Sequence, residues 1–287
     1  MARRGYVTVR RASVAVLLAA SLLAAAPAAA QDGALVLQLR PRAGDTLRVR
    51  IDQTIEMGGT TRAAADDSIA TQMTTLMMLA RLAVESTDAD GATVVAVTDS
   101  VRIESNDPYR SAVLQSARQM QGQRVRFRVA PDGGTTVSGG DAWARASVGS
   151  LLSQLPATLP REAVMPGGSW TRSLDIPLAA SPDGGRSATL TATFRFDSLS
   201  RSGDFAYLTM KGRLVRSGPV KGQSGEGNGG FVQTSGSVTG SILIDRRRGW
   251  IADARTNISL RSLVTPKTRN AVPVRVRMTI TQWMRVM

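Results

Sequence analysis

Apolar and polar residues alternate strictly along several stretches of this chain, and a period of two restricts those stretches to extended strands with one buried face. The pattern is clearest in four segments, Leu47–Ile51, Arg124–Val129, Leu190–Phe196 and Val274–Ile280. In each segment apolar residues occupy one side, and Arg or Thr occupies the other. The sequence therefore predicts sheets that are apolar inside and covered by arginine outside, a surface that also discourages pairing between sheet edges.

Turn sequences that contain glycine separate the predicted strands. Asp90-Gly91, Pro131–Gly134 and Pro182–Gly185 are all of this kind, so antiparallel hairpins are expected. The segment Asp245–Gly249 holds three consecutive arginines in a chain whose formal net charge is +14. We interpret it as a hairpin tip, where exposed charges cost little folding free energy, and not as a phosphate-binding site.

Two stretches have the signature of short helices. The first begins at the capping residue Asp107 and ends before Gly122, with apolar residues at helical spacing between them. The second runs from about Ala142 to Leu155 and ends at Pro156. We expect both helices to pack on a sheet.

A faint internal repeat relates the two halves of the chain. In each half an apolar strand is followed by Ser or Thr, by a turn that contains glycine, and by a second long strand. We predict a mainly β fold (β-rich α+β), with two similar curved, mostly antiparallel sheets or half-barrels and two short packed helices. The predicted organisation is a signal peptide over residues 1–30, a first β unit with two helices over 31–160, and a second β unit over 161–287. The two units are expected to pack as one globular body, and whether they share one sheet stays open.

The first thirty residues resemble a secretory signal. Basic residues are followed by an apolar run from Val14 to Ala26, which is shorter than the roughly 20 residues of a membrane helix, and by small residues before Gln31. We expect export to the periplasm or the extracellular space, with no transmembrane segment after processing. The general secretory and twin-arginine routes both stay open.

The absence of two residue types removes most catalytic chemistry. The chain has no histidine and no cysteine, so Ser-His-Asp and Cys-His arrangements, disulfides and zinc sites built on these residues are all excluded. We predict that the protein is not an enzyme and that it has no catalytic residue, metal or cofactor. Nucleic acid is also not expected as a partner, because aromatic residues make up only 4% of the chain and are scattered among the arginines.

The candidate binding site is the apolar interior of the predicted sheets. Between Leu76 and Val84 both sides of a strand are apolar except at Arg81, which predicts a strand covered on both faces. The methionines of this strand supply adaptable packing, either as part of the core or as the lining of a pocket for an apolar ligand. The candidate ligand-binding residues are Met73, Met77, Met78, Leu82, Phe194 and Phe196.

Two functions remain open on these grounds. The first is a non-catalytic exported envelope protein that binds or carries an apolar or amphipathic ligand such as a lipid. The alternative is a structural or interaction protein of the cell envelope, with a fully packed core and a protein partner. Peripheral contact with a membrane is compatible with either. The four tryptophans, Trp143, Trp170, Trp250 and Trp283, are expected to plug the ends of a curved sheet or else to rim a pocket.

Several of these strand and turn patterns together resemble the secreted bacterial family catalogued as domain of unknown function 6263. The matching segments are "LRPRAGDTLRVRIDQTIEM", "MPGGSWTRSLDIPL", "FRFDSLSRSGDFAYLTMKG" and "GSVTGSILIDRRRGWIADARTNISL". The resemblance covers most of Leu35 to Met287. It implies a β-rich envelope protein and implies no activity.

Overall fold

The computed structural model describes residues 33–61, 71–106, 110–141, 159–177, 187–220, 230–266 and 272–287. The predicted signal peptide, and the second predicted helix at Ala142–Leu155, lie outside the described residues. The chain divides into a first unit, Met1–Ala34, and a second unit, Leu35–Met287. Everything below concerns the second unit.

The described part of this unit is almost entirely β-structure. Its strands are β1 (Thr46–Thr61), β2 (Gln72–Asp88), β3 (Gly91–Ser105), β4 (Arg124–Val129), β5 (Thr135–Gly139), β6 (Ser169–Pro177), β7 (Ser187–Leu199), β8 (Phe205–Val220), β9 (Gly230–Asp245), β10 (Trp250–Pro266) and β11 (Val274–Val286). One helix, α1 (Arg110–Met120), connects β3 to β4. Among the described helices none is long and apolar enough to cross a membrane.

The eleven strands form one antiparallel sheet in the order β5-β4-β3-β2-β1-β11-β10-β9-β8-β7-β6. Strands β5 and β6 are its two edges, so the sheet is not closed. The expectation of a mainly β, antiparallel fold is confirmed. The expectation of two sheets is not confirmed, because β11 pairs with both β1 and β10 and thereby joins the two halves of the chain.

The arginine triplet lies at a hairpin tip, as the turn chemistry predicts. Residues 246–249 form the turn between β9 and β10, and Arg246, Arg247 and Arg248 are exposed. Gly249 has a φ of +63°, a conformation that favours glycine. A Cβ at Gly249 would also lie 2.2 Å from the carbonyl oxygen of Arg40, so no side chain fits there.

The core covers one side of the sheet, which we call the inner face. Alternation places Ile51, Met78, Phe196, Leu208 and their neighbours on it, all buried in one hydrophobic cluster. Met120 at the end of α1 joins this cluster and Ala117 is also buried, so the described end of the predicted helix packs on the sheet as expected.

The end of the sheet that carries the short turns is covered by the segment that precedes β1. Leu37 and Leu39 on this segment are buried in the core. The backbone N–H of Leu39 donates to the carbonyl of Pro131, and that of Arg40 donates to the carbonyl of Gly249, at 2.8 and 2.9 Å. The segment therefore contacts turns from both halves of the sheet.

Candidate functional site

The six residues predicted to line an apolar interior do not lie together. Met78, Leu82, Phe194 and Phe196 are buried in the core of the inner face. Met73, which is 47% exposed, and Met77, which is half-buried, lie on the opposite face, which we call the outer face. Strand β2 is thus buried on one side and partly exposed on the other, and the interpretation of Leu76–Val84 as a strand covered on both faces is wrong.

A polar row crosses the inner face immediately beside the core. Gln53 on β1 is directly opposite Gln282 on β11, and Gln282 is opposite Thr256 on β10. Both glutamines are buried, at 7% and 5% exposure. The side-chain nitrogen Nε2 of Gln282 is buried and has no hydrogen-bond partner in the described structure. An unpaired buried donor costs free energy, so this group is available to an acceptor that could reach it.

Beyond the two glutamines the inner face becomes apolar again but is less deeply buried. Ile55 of β1 pairs with Ile280 of β11, which pairs with Ile258 of β10; Met57 pairs with Met278 in the next row. Met57 is 36% exposed, and the other four are half-buried. We call these five residues the seam patch, because they lie where the two halves of the sheet meet.

The sequence alone did not identify the glutamines or the seam patch as a site. A signal was present, because Gln53 and Gln282 each occupy a position in an alternating segment where the pattern calls for an apolar side chain. Their alignment across β1 and β11 depends on the pairing of the first and last strands of the chain, which local patterns do not specify.

The outer face holds an aromatic and guanidinium cluster beside an open groove. The guanidinium carbons of Arg255 and Arg285 lie 4.6 and 4.2 Å from the ring centre of Trp283. Trp283 Nε1 donates to Asp253 Oδ2 at 2.6 Å, which fixes the ring. The groove has a volume of about 510 Å³ and is lined by residues of β9, β10 and β11, among them Arg255, Asn257 and Trp283.

The tryptophans consequently have different environments. Trp250 is buried in the core, and Trp170 stacks on Phe194 with ring centres 5.7 Å apart, so these two fit the expected role of plugs. Trp283 does not, because it lies on the outer face between two arginines. Trp143 lies outside the described residues.

Arginines on the outer face are paired in the half of the sheet near the short turns. Arg128 donates to Asp88 and lowers the pKa of that carboxyl below its ordinary value of 3.8, and the backbone N–H groups of Asp90 and Gly91 act in the same direction. Arg50 donates hydrogen bonds from Nε and Nη2 to the carboxylate of Asp52, and these raise the pKa of Arg50. Such exposed pairs organise the surface without adding much stability.

The two faces offer different chemical groups to a partner. No group of three or more Asp or Glu residues able to hold a metal ion occurs in the part of the chain that is described. The inner face offers aliphatic surface with buried amides, and the outer face offers arginine, threonine and one tryptophan.

Comparison with known proteins identifies no family. No protein-family model matches the chain, and no curated protein matches it. Among solved structures it is similar to one described as "lipid-protein interactions in lipovitellin", with 9% identity and a TM-score of 0.47. That match covers 86% of this chain and 25% of the other. Similarity at this level supports no conclusion about function.

Proposed function

We propose that this protein is a non-catalytic, exported envelope protein that binds an apolar or amphipathic ligand, such as a lipid, on the seam patch. The observation that supports the proposal is that the apolar inner face continues past Gln53 and Gln282 onto side chains of β1, β10 and β11 that are only half-buried. Contiguous apolar surface that stays in contact with water commonly marks a site of ligand or partner binding.

The binding energy would come from removing these side chains and the ligand from water together. Burial of aliphatic surface contributes about 0.8 kcal/mol for each CH₂ group. An acyl chain laid across Ile55, Ile280 and Ile258 would therefore gain several kcal/mol before the entropy cost of binding is subtracted. The packed core of the inner face, in which Phe194 and Phe196 are fully buried, would give the binding surface rigid support.

Monopalmitin, a neutral amphiphile with one acyl chain, is the probe for a first test. A ligand that binds only the folded protein at 100 times its dissociation constant stabilises that state by about 2.7 kcal/mol, or roughly 5–10 °C in Tm for a chain of this size. We expect such a rise for the purified protein, followed by scanning fluorimetry at several lipid concentrations.

A charge placed on the seam patch provides the discriminating variant. Met57→Glu introduces a carboxylate at a partly exposed inner position, and we expect it to abolish most of the lipid-dependent rise in Tm. Ser259→Glu on the outer face of β10 adds the same charge and should retain the full rise. A wild-type Tm that is unchanged by monopalmitin, together with native mass spectra of envelope-purified protein that contain no lipid adduct, would favour the alternative of a packed interaction protein.

A further inference from the structure

The amide of Gln282 has the properties expected of a ligand-recognition group. Gln282 is buried, with only 5% of its surface exposed. Its Nε2 donor has no partner in the described structure. Its position on β11, between Ile280 and Met284, puts it at the boundary between the packed core and the seam patch.

The surroundings of Gln282 define the kind of acceptor that fits. The row that crosses the inner face there consists of Leu76, Gln53, Gln282, Thr256, Gly240 and Met210, none of them charged. A carboxylate buried without a cation is strongly disfavoured, whereas a neutral carbonyl needs only one good donor. An uncharged carbonyl, such as that of an ester, is thus the kind of acceptor that suits this row.

We propose that Gln282 selects ligands whose aliphatic chain carries an uncharged carbonyl, as in acyl esters, by donating a hydrogen bond from Nε2 to that oxygen. This inference rests on the proposed function, since it places the chain of the ligand on the seam patch. It adds the chemical class of the head group and the residue that recognises it.

Three probes of similar chain length separate the possibilities: methyl laurate, ionised laurate at pH 8 and tetradecane, each delivered from cyclodextrin. Affinity is measured by displacement of N-phenylnaphthylamine fluorescence. We expect the wild-type protein to bind methyl laurate more tightly than either of the others. The loss of one neutral hydrogen bond corresponds to a weakening of about three- to tenfold.

Gln282→Met removes the donor while retaining an unbranched side chain of similar volume. We expect the variant to lose its preference for methyl laurate over tetradecane and, because an unpaired buried amide is removed, to gain thermal stability without ligand. Thr98→Val is the matched control. Thr98 Oγ1 is also buried and unpartnered, but it lies on β3 and outside the seam patch. This control should gain stability in the same way and keep the ester preference.

The outcomes distinguish the two proposals. Binding of all three probes with an ester preference that is unchanged in Gln282→Met overturns the role of Gln282 and leaves the seam patch as an aliphatic site. Tighter binding of laurate than of methyl laurate by the wild type overturns the preference for a neutral carbonyl. Failure of every probe to bind overturns both the inference and the proposed function.

Discussion

Replacing Gly240 with alanine tests how closely β9, β10 and β8 approach one another on the inner face. A Cβ at Gly240 would lie 2.5 Å from the carbonyl oxygen of Arg255 on β10 and 3.2 Å from Cε of Met210 on β8. The first contact is with backbone, which cannot rotate away. Gly59 on β1 is the matched control, because its nearest neighbour would be the carbonyl oxygen of Arg275 at an ordinary 3.6 Å.

The expected magnitudes follow from two opposing effects. Replacing glycine with alanine stabilises a protein by about 0.4–1 kcal/mol where the native backbone tolerates it, because the unfolded chain loses freedom. Excess volume in a packed site costs about 1–3 kcal/mol. Gly240→Ala should therefore destabilise the fold by about 1–2 kcal/mol, and Gly59→Ala should be neutral or stabilising by less than about 1 kcal/mol.

Thermal unfolding followed by far-ultraviolet circular dichroism measures both variants under one set of conditions. At about 2–4 °C for each kcal/mol, Gly240→Ala should lower the Tm by roughly 2–8 °C relative to the wild type. A Tm for Gly240→Ala equal to or above that of Gly59→Ala would show that the close approach of β9 and β10 does not constrain this position.

Two further predictions concern the outer face. Asp88→Asn should lower the Tm at pH 7, and the difference from wild type should vanish as the pH falls through the lowered pKa of Asp88, because protonation then removes the same charge that attracts Arg128; a difference that persists undiminished in acid would contradict this. Arg261 is directly opposite Arg277, so Arg277→Glu should turn repulsion into attraction and raise the Tm by roughly 1–2 °C at low salt. Thermal scans at low and at high salt check this, since the gain must shrink when charges are screened.

Local patterns in the sequence were sufficient to predict much of the architecture. Strict alternation located strands such as β4 and β7, and Asp245–Gly249 was correctly interpreted as a hairpin tip. These features depend on residues close together in the chain, for which side-chain period and turn chemistry are direct signals.

Features that depend on distant pairing were not predicted. The repeat indicated two units, and whether they share a sheet was undecided until β11 was seen between β1 and β10. Met73 and Met77 were assigned to the same apolar lining as Met78, although alternation within one strand sends them to the opposite face. The apolar residues on both sides of this strand favoured a strand covered on both faces, whereas the structure buries only the side of Met78 and leaves the side of Met73 and Met77 partly exposed.

The location of the seam patch follows from the way the described elements cover the inner face. Helix α1 contacts β3, and the segment with Leu37 and Leu39 covers the end with the short turns. On β8, β9 and β10, large side chains fill the space that glycines such as Gly236 leave open. Leu260 Cδ2 lies only 2.5 Å from the position that a Cβ of residue 236 would occupy. Where β1 and β11 pair beyond Gln53 and Gln282, no described helix or preceding segment covers them, and no large neighbouring side chain among the described residues fills the space. The strand that joins the two halves of the sheet therefore also carries half-buried aliphatic side chains beside the unpaired amide of Gln282, and on this juxtaposition we base the proposal of a binding site at the junction.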